Sequence, residues 1–310
     1  MRTHALRLCM LGLLTPPVTT VALAAAPKTF PTPEAAVEAL IAAGRSGEQA
    51  TILAVLGSDA KPLLSSGDRV ADHAVAQQFI DGYDQAHSLL AASEDKQILV
   101  TGPDQWPFPI PLVKGKSGWS FDTRAGKEEI LARRVGRNEL DAIQVCLAYV
   151  DAQREYHDRN PQGAAPPVYA RFLVSHAGKK DGLFWPATPG ETESPLGPLV
   201  GGASDSGYHA EAGKPTPYHG YYFRILTAQG SHAEGGALNY LVKDQLYGGF
   251  ALVAWPATYG NSGIMTLEVN HAGVVFQKDL GPKTESAVKS IKTFDPDSTW
   301  TKAESFAARP

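Results

Sequence analysis

The chain is short of cysteine. It has two in 310 residues, and Cys9 falls in a segment that reads as a removable leader. That leaves Cys146 alone, so the remaining chain has no intramolecular disulfide and its fold must rest on a packed core. Cys9 stands too early, and without small residues before it, to be a lipoprotein acylation site. Cys146 sits in an apolar helical pattern and reads as a small buried hydrophobe rather than a catalytic thiol. Positive charge is also scarce. The formal net charge is −4, and it becomes two units more negative once Arg2 and Arg7 leave with the leader. Such a chain has no electrostatic footprint for nucleic acid and no polybasic cluster for an anionic membrane.

Motifs with defined chemistry are missing as well. His157, His176, His209, His219 and His271 are scattered, without His-x-x-x-His or Cys-x-x-Cys spacing. Asp295-x-Asp297 lacks the glycine and terminal glutamate of a calcium loop. No metal and no cofactor is expected. No Gly-x-Ser-x-Gly elbow occurs, and the glycines follow neither the phosphate-loop nor the dinucleotide pattern. Gly260-Asn261-Ser262-Gly263 is faintly similar to a serine-protease nucleophile loop. Asn261 replaces the acidic residue there, and a tight turn between strands is the better reading.

What is present begins at the N-terminus. Arg2 and Arg7 precede an apolar run from Leu8 to Leu14, Pro16 and Pro17 interrupt it, and Ala22-Leu23-Ala24 supplies small residues at the positions a signal peptidase reads. The reading is export to the periplasm with cleavage near Ala24. The prolines leave the run short of the ~20 residues a spanning helix needs, so no stable membrane insertion is expected after cleavage.

Beyond the leader, 43% hydrophobic and 19% charged residues suit a folded protein with a sizeable core. Thr32 and Pro33 signal a helix start, with Ala36, Val37, Leu40 and Ile41 on one face and Gly44 as a stop. A second helix is predicted over Gln49–Leu56, a turn at Ser66-Gly67-Asp68, and a third helix over Asp72–Leu90 with Val75, Phe79, Tyr83 and Leu90 inward. Short strands follow at Ile98–Val100, Leu112-Val113 and Trp119–Phe121, the last two joined by a hairpin turn. Prolines bar Trp106–Pro111 from a central strand. Residues 126–158 are strongly helical, with a break expected at Gly136 and a new start at Asn138. Arg133, Arg134 and Arg137 read as a solvated face pairing with Glu128, Glu129 and Glu139. After a Pro/Gly/Ala linker over 160–167, residues 186–217 read as a long surface loop. Strands are then expected at Tyr218–Thr227, Gly249–Pro256, Ile264–Val269 and Gly273–Gln277, then a helix over Thr284–Ile291.

This order predicts an α+β fold: a leader over 1–24, an α+β region over 25–125, and a long amphipathic helix with an antiparallel meander over 126–310. By analogy, the first region is similar to cystatin-like or NTF2-like cones and the second to the helix-on-sheet packing of pilins. The uncleaved N-terminal helix of true pilins is absent.

Several words together are similar to a known family. They are Trp106–Leu112, Gly118–Asp122, Arg134–Leu140, Asp151–Gln153, Lys180–Pro186, Ser194–Pro198, Tyr218–Phe223, Ala228–Gly230 and Gly248–Gly263. The chain resembles exported bacterial proteins grouped as domain of unknown function 2950. The resemblance implies an exported bacterial protein and brings no activity, cofactor or site residue.

Three readings of function remain. Aromatic density in the second half, chiefly Trp185, Tyr218, Tyr221, Trp255 and Tyr259, suits a surface that grips an envelope protein, a peptide or a glycan. That favours a non-catalytic binding or assembly module. The alternatives are a hydrolase of envelope material, with His219 and Asp181 as its acid/base pair, and a small-ligand carrier with a pocket in the N-terminal cone.

Overall fold

Threonine before proline opens the first helix as its chemistry requires. In the computed structural model, which describes residues 25–188, 190–208 and 216–303, Thr32 accepts a hydrogen bond from the Ala35 N–H at 3.2 Å and α1 spans Pro33–Ser46. The leader lies outside the described residues. α1 passes the expected stop at Gly44 and ends at Gly47, which takes the left-handed conformation that glycine adopts without steric cost. Gly44 is a contact instead: a Cβ there would lie 3.0 Å from Ile80. α2 spans Gln49–Leu56, as expected.

α3 spans Arg69–Gln85, capped by Asp68, and is shorter than its sequence pattern. Ala86 turns extended and His87–Ser93 forms strand β1. Leu89 pairs with Leu99 and Leu90 with Ile98 across the ladder, and that pairing overrides the helical propensity of Leu-Leu-Ala-Ala. Val75 and Leu90 therefore do not face inward. They are 43% and 47% exposed.

β2 (Lys96–Thr101), β3 (Trp106–Pro107), β4 (Leu112–Gly115) and β5 (Gly118–Phe121) complete the first sheet, ordered β1-β2-β4-β5 with β3 also on β2. Phe30, Leu40, Ile41, Leu99, Leu112 and Phe121 lie in one buried cluster between this sheet and α1–α3. The interior of the N-terminal half is filled by side chains.

α4 runs unbroken from Thr123 to Arg159, 37 residues, or roughly 55 Å at 1.5 Å per residue. The break expected at Gly136 does not occur. Asp122 provides the cap, accepting from the Ala125 N–H at 3.1 Å. Asn138 is mid-helix and buried. A lone glycine on an exposed helix face costs about 1 kcal/mol, too little to end a helix held by two cores.

β6 (Phe172–Val174) and β7 (Gly182–Phe184) pair in parallel. α5 (Gly197–Asp205) lies in the stretch read as a loop. The strands β8 (Tyr221–Leu226), β9 (Ala228–Gln229), β10 (Leu238–Asn239), β11 (Leu241–Val242), β12 (Gln245–Leu246), β13 (Ala251–Pro256), β14 (Met265–Asn270) and β15 (Phe276–Asp279) follow, then α6 (Thr284–Val288) and β16 (Thr301–Lys302). The main sheet is antiparallel, in the order β16-β15-β14-β13-β8. Helices with antiparallel sheets make this an α+β fold.

β13 is buried on both faces, which explains its continuous apolar sequence. Leu252 and Ala254 meet Ile143, Cys146 and Val150 of α4. Ala251 and Val253 meet Val288 and Phe294 on the other side. Gln153 is wholly buried and satisfied. It binds the Ala170 N–H and C=O, each at 2.8 Å, and the Tyr149 hydroxyl, pinning the chain after the linker onto α4.

Candidate functional site

His219 lies in a tight turn entering β8. Tyr218 and Tyr221 exchange backbone hydrogen bonds at 2.8 and 3.1 Å, and His219 and Gly220 both adopt positive φ, 49° and 74°. Glycine is needed at 220, because a Cβ there would lie 2.5 Å from the Asn138 amide. The turn aims His219 Nδ1 at Asp141 Oδ2 on α4, 3.2 Å away. Tyr218 meets the imidazole edge-on, with centroids 4.2 Å apart, and Tyr208 meets Tyr218 in the same way at 4.9 Å.

Beneath them lies Asp68, 2% exposed. One carboxylate oxygen caps α3 through the Ala71 N–H at 3.0 Å. The other accepts from the Tyr208 hydroxyl at 2.8 Å and the Gly220 N–H at 2.9 Å. Three donors at a helix N-terminus are what a buried carboxylate requires. Burial, together with the hydrogen bond and charge of Asp68, pushes the Tyr208 phenol up.

Two turns of α4 complete this junction between the halves. Arg134 donates to the Leu63 carbonyl and to the Asn261 side chain, and Asn261 donates to the Ser65 carbonyl at 2.8 Å. Burial lowers the Arg134 pKa. Asn138 donates to the Ser262 carbonyl at 2.9 Å. Glu139 accepts from the Ile264 and Met265 N–H groups at 2.9 and 3.0 Å. Gly260–Gly263 is thus a structural turn. Ser262 is wholly buried, its hydroxyl bonded to the Thr258 backbone, so it offers no nucleophile. Among the described residues, only Arg133 of the arginine cluster makes the expected pair with Glu129, at 2.6 Å.

His219 and Asp181 are not brought together. Asp181 pairs with His176, whose Nδ1 lies 2.9 Å from it and whose N–H donates at 3.0 Å. Burial pushes the Asp181 carboxyl up, but these His176 bonds outweigh it and hold it below the usual range. The adjoining Lys180 carbonyl accepts from Tyr156 on α4. Tyr156 lies 15 residues beyond Asp141, roughly 22 Å along the helix axis. Among the described residues, no group of three or more His, Cys, Asp or Glu is placed to hold a metal.

The five aromatics named from the sequence do not share one face. Trp185 is buried against Tyr156, its indole N–H without a partner among the described residues. Tyr221 is fully buried and donates to the Met265 carbonyl at 2.9 Å. Trp255 lies on the opposite side of the sheet beside Tyr222 and Arg224. Tyr259 donates to Asp279 at 3.2 Å, and Tyr218 belongs to the His219 junction. Alternation along β8 and β13 divides Tyr221 from Trp255, since successive side chains point to opposite faces.

The more open aromatic surface lies in the N-terminal half. Pro107, Pro109 and Pro111 have no N–H to complete a ladder. β2 pairs with β4 at Lys96 and Gln97 and with β3 at Val100 and Thr101. Between them a shallow groove of about 220 Å³ opens, lined by Lys96, Ile98, the three prolines and Arg133. Trp106 stands at its rim, 45% exposed, with the Arg133 guanidinium 4.8 Å from its ring centre. Sequence reasoning passed over Trp106 as a binding residue, although an exposed Trp in a proline-interrupted segment was the available signal.

A buried carboxylate was also missed. Glu268 on β14 is 2% exposed, and burial pushes its pKa up to about 7. It accepts one long bond, 3.4 Å, from the Asp295 N–H. Arg224 and Lys278 offset the burial only in part, and the Asp295 charge adds to it.

Among the described residues, no helix is long and apolar enough to cross a membrane. A family model described as protein of unknown function (DUF2950) matches residues 27–303. No curated protein and no solved structure matches the chain.

Proposed function

We propose that this chain, which belongs to the DUF2950 family, is an exported, periplasmic binding or assembly module of the cell envelope that performs no catalysis of its own. The observation that carries the reading is the groove beside β2. An exposed tryptophan, an arginine stacked on it and three prolines form a preorganised surface, rigid in the backbone and aromatic at the rim. Such a surface gains contact area while losing little conformational entropy on binding. It suits an extended peptide or a glycan strand, whose flat apolar faces stack on indole and whose polar groups meet Lys96, Glu129 and Arg133.

The filled N-terminal interior favours this reading over a carrier with an internal pocket. The separation of His219 from Asp181, and the sealed Ser262 hydroxyl, favour it over a hydrolase.

The test is photo-crosslinking from position 106 in living cells, with mass spectrometry of the adducts. The expected result is one dominant envelope adduct that disappears when Ile98→Arg fills the groove. No adduct, or one unaffected by Ile98→Arg, refutes the groove as the binding surface.

A further inference from the structure

The face of the main sheet turned away from α4 is closed by the chain that follows β15. Residues 280–295 form α6 and cross back over β13 and β14, where Val288 and Phe294 join Leu226, Ala251 and Val253 in one buried cluster. Arg224 fastens the middle of this strap, donating to the Val288 and Ile291 carbonyls at 2.8 and 2.9 Å. Phe294 fastens its end: its N–H donates to the Ala228 carbonyl at 3.0 Å and its carbonyl accepts from the Gly230 N–H at 2.9 Å. Asp295 packs directly on Gly230, where a Cβ would lie 2.2 Å from its carboxyl carbon. Its carboxylate accepts from the His232 N–H at 2.8 Å, with Nδ1 of that ring 3.1 Å away.

What the strap covers is not all apolar. Thr266 and Glu268 of β14 are 0% and 2% exposed. Among the described residues, the Thr266 hydroxyl has no hydrogen-bond partner, and Glu268 accepts from the Asp295 N–H alone, at 3.4 Å. Across the ladders Glu268 stands between Val253 and Phe276, whose side chains cannot donate. Polar groups buried without partners cost free energy, and opening the strap returns both to water. It is therefore a segment disposed to open by itself, ahead of the cores. The charged groups around Glu268 do not remove that cost. Arg224 on β8 is committed to the strap carbonyls, Lys278 on β15 donates to Thr299 at 2.6 Å, and β13 carries no titratable residue. Lys302 of β16, beyond Phe276, is exposed, as are Lys283, Glu285, Lys289 and Lys292 of the strap. Asp295 brings a like charge.

We propose that Glu268 is a proton-operated latch: protonated, it lets residues 280–295 stay closed over β14, and ionised, it makes them open more often, uncovering Val253 and the apolar undersides of Val288 and Phe294. In the closed form burial holds the proton up to about pH 7, whereas the hydrated carboxyl of the open form releases it near the ordinary 4.5. Opening is therefore insensitive to pH below 4.5, becomes easier as pH rises through that interval, and gains nothing more above about 7. The open form remains a minor state in which α4 and both cores are intact. The latch does not depend on what the groove binds.

Hydrogen exchange with mass spectrometry on the full chain, at pH 6 and pH 8 and corrected for intrinsic rates, tests this. The strap is read from peptides holding the Ile291, Phe294 and Gly230 amides, which bond to or within it, and the cores from peptides over 143–150 of α4. The strap amides are expected to be less protected than those of α4 at both pH values. Their protection is expected to fall about tenfold from pH 6 to pH 8, and Glu268→Gln to abolish that fall. Strap amides as well protected as those of α4 open only when the whole chain unfolds, and that result overturns the latch. So does equal strap protection at the two pH values, or a fall that persists in Glu268→Gln. The first two of these outcomes are read on the unsubstituted chain and need no variant to fold.

Discussion

Replacing Glu268 by glutamine removes a group that burial keeps protonated. The folded-state pKa of about 7 stands above the ordinary 4.5. Below pH 4.5 the carboxyl is neutral in both folded and unfolded chains, and its contribution to stability is fully present. Between 4.5 and about 7 the unfolded chain releases the proton and the folded chain holds it, so stability falls as pH rises. Above that window the loss is complete. Each pH unit is worth about 1.4 kcal/mol, so the whole loss is about 3 kcal/mol. Glu268→Gln keeps the shape and an acceptor for the Asp295 N–H but does not titrate. His271 complicates the raw profile, because burial lowers its pKa below the ordinary 6.5, and a depressed histidine makes stability rise with pH up to that ordinary value. The difference between the two proteins cancels it. Urea unfolding of both at half-unit steps from pH 5 to 8 is the assay. The variant is expected to gain on the parent by about 2–3 kcal/mol across that range. A constant difference from pH 5 to 8 would refute a protonated Glu268 in the fold.

Two other outcomes are expected. Asp68→Asn leaves at least one of the Tyr208 hydroxyl, Gly220 N–H and Ala71 N–H without an acceptor in a buried site, and is expected to cost about 1–3 kcal/mol in urea unfolding. Tyr208→Phe, which removes one bond without burying an orphan donor, should cost less, and equal losses would contradict this account of the junction. Cys146, fully buried with its thiol pushed up to about 12, should resist a thiol reagent until the chain unfolds, so that its labelling rate tracks urea concentration. Rapid labelling in buffer would contradict that burial.

Signals that act within a few residues were legible in the sequence. Thr32 and Pro33 start α1, the turn before Trp119 makes the β4–β5 hairpin, and the alternation of β14 pairs it with β15. Signals that depend on distant partners were not. The turn at Ser66-Gly67-Asp68 was readable, but the bonds its aspartate makes to Tyr208 and Gly220 span 140 and 152 positions. His219 stood out by its aromatic neighbours, yet nothing local pointed to Asp141. Thr266 and Glu268 share one face of β14, and two polar residues at alternate positions are the pattern of a solvent-facing side. The chain after β15 returns over that face with Val288, Ile291 and Phe294, and so buries an acid that pattern reading assigns to solvent. The extension of α3 through Leu90 failed for the complementary reason: the residues that pull Leu89 and Leu90 into a strand lie in β2.

The length of α4 bears on how this family can change through descent. Its first turns carry Ile130 beside the N-terminal core, and its second half carries Ile143, Cys146 and Val150 into the C-terminal one. Most proteins of two cores have a seam where recombination can exchange one for another. Here the seam is a helix that belongs to both, so any crossover point within 123–159 severs a rod that each core uses as a wall. Relatives are expected to gain and lose segments at outer turns such as Glu94-Asp95, while the two cores are inherited together.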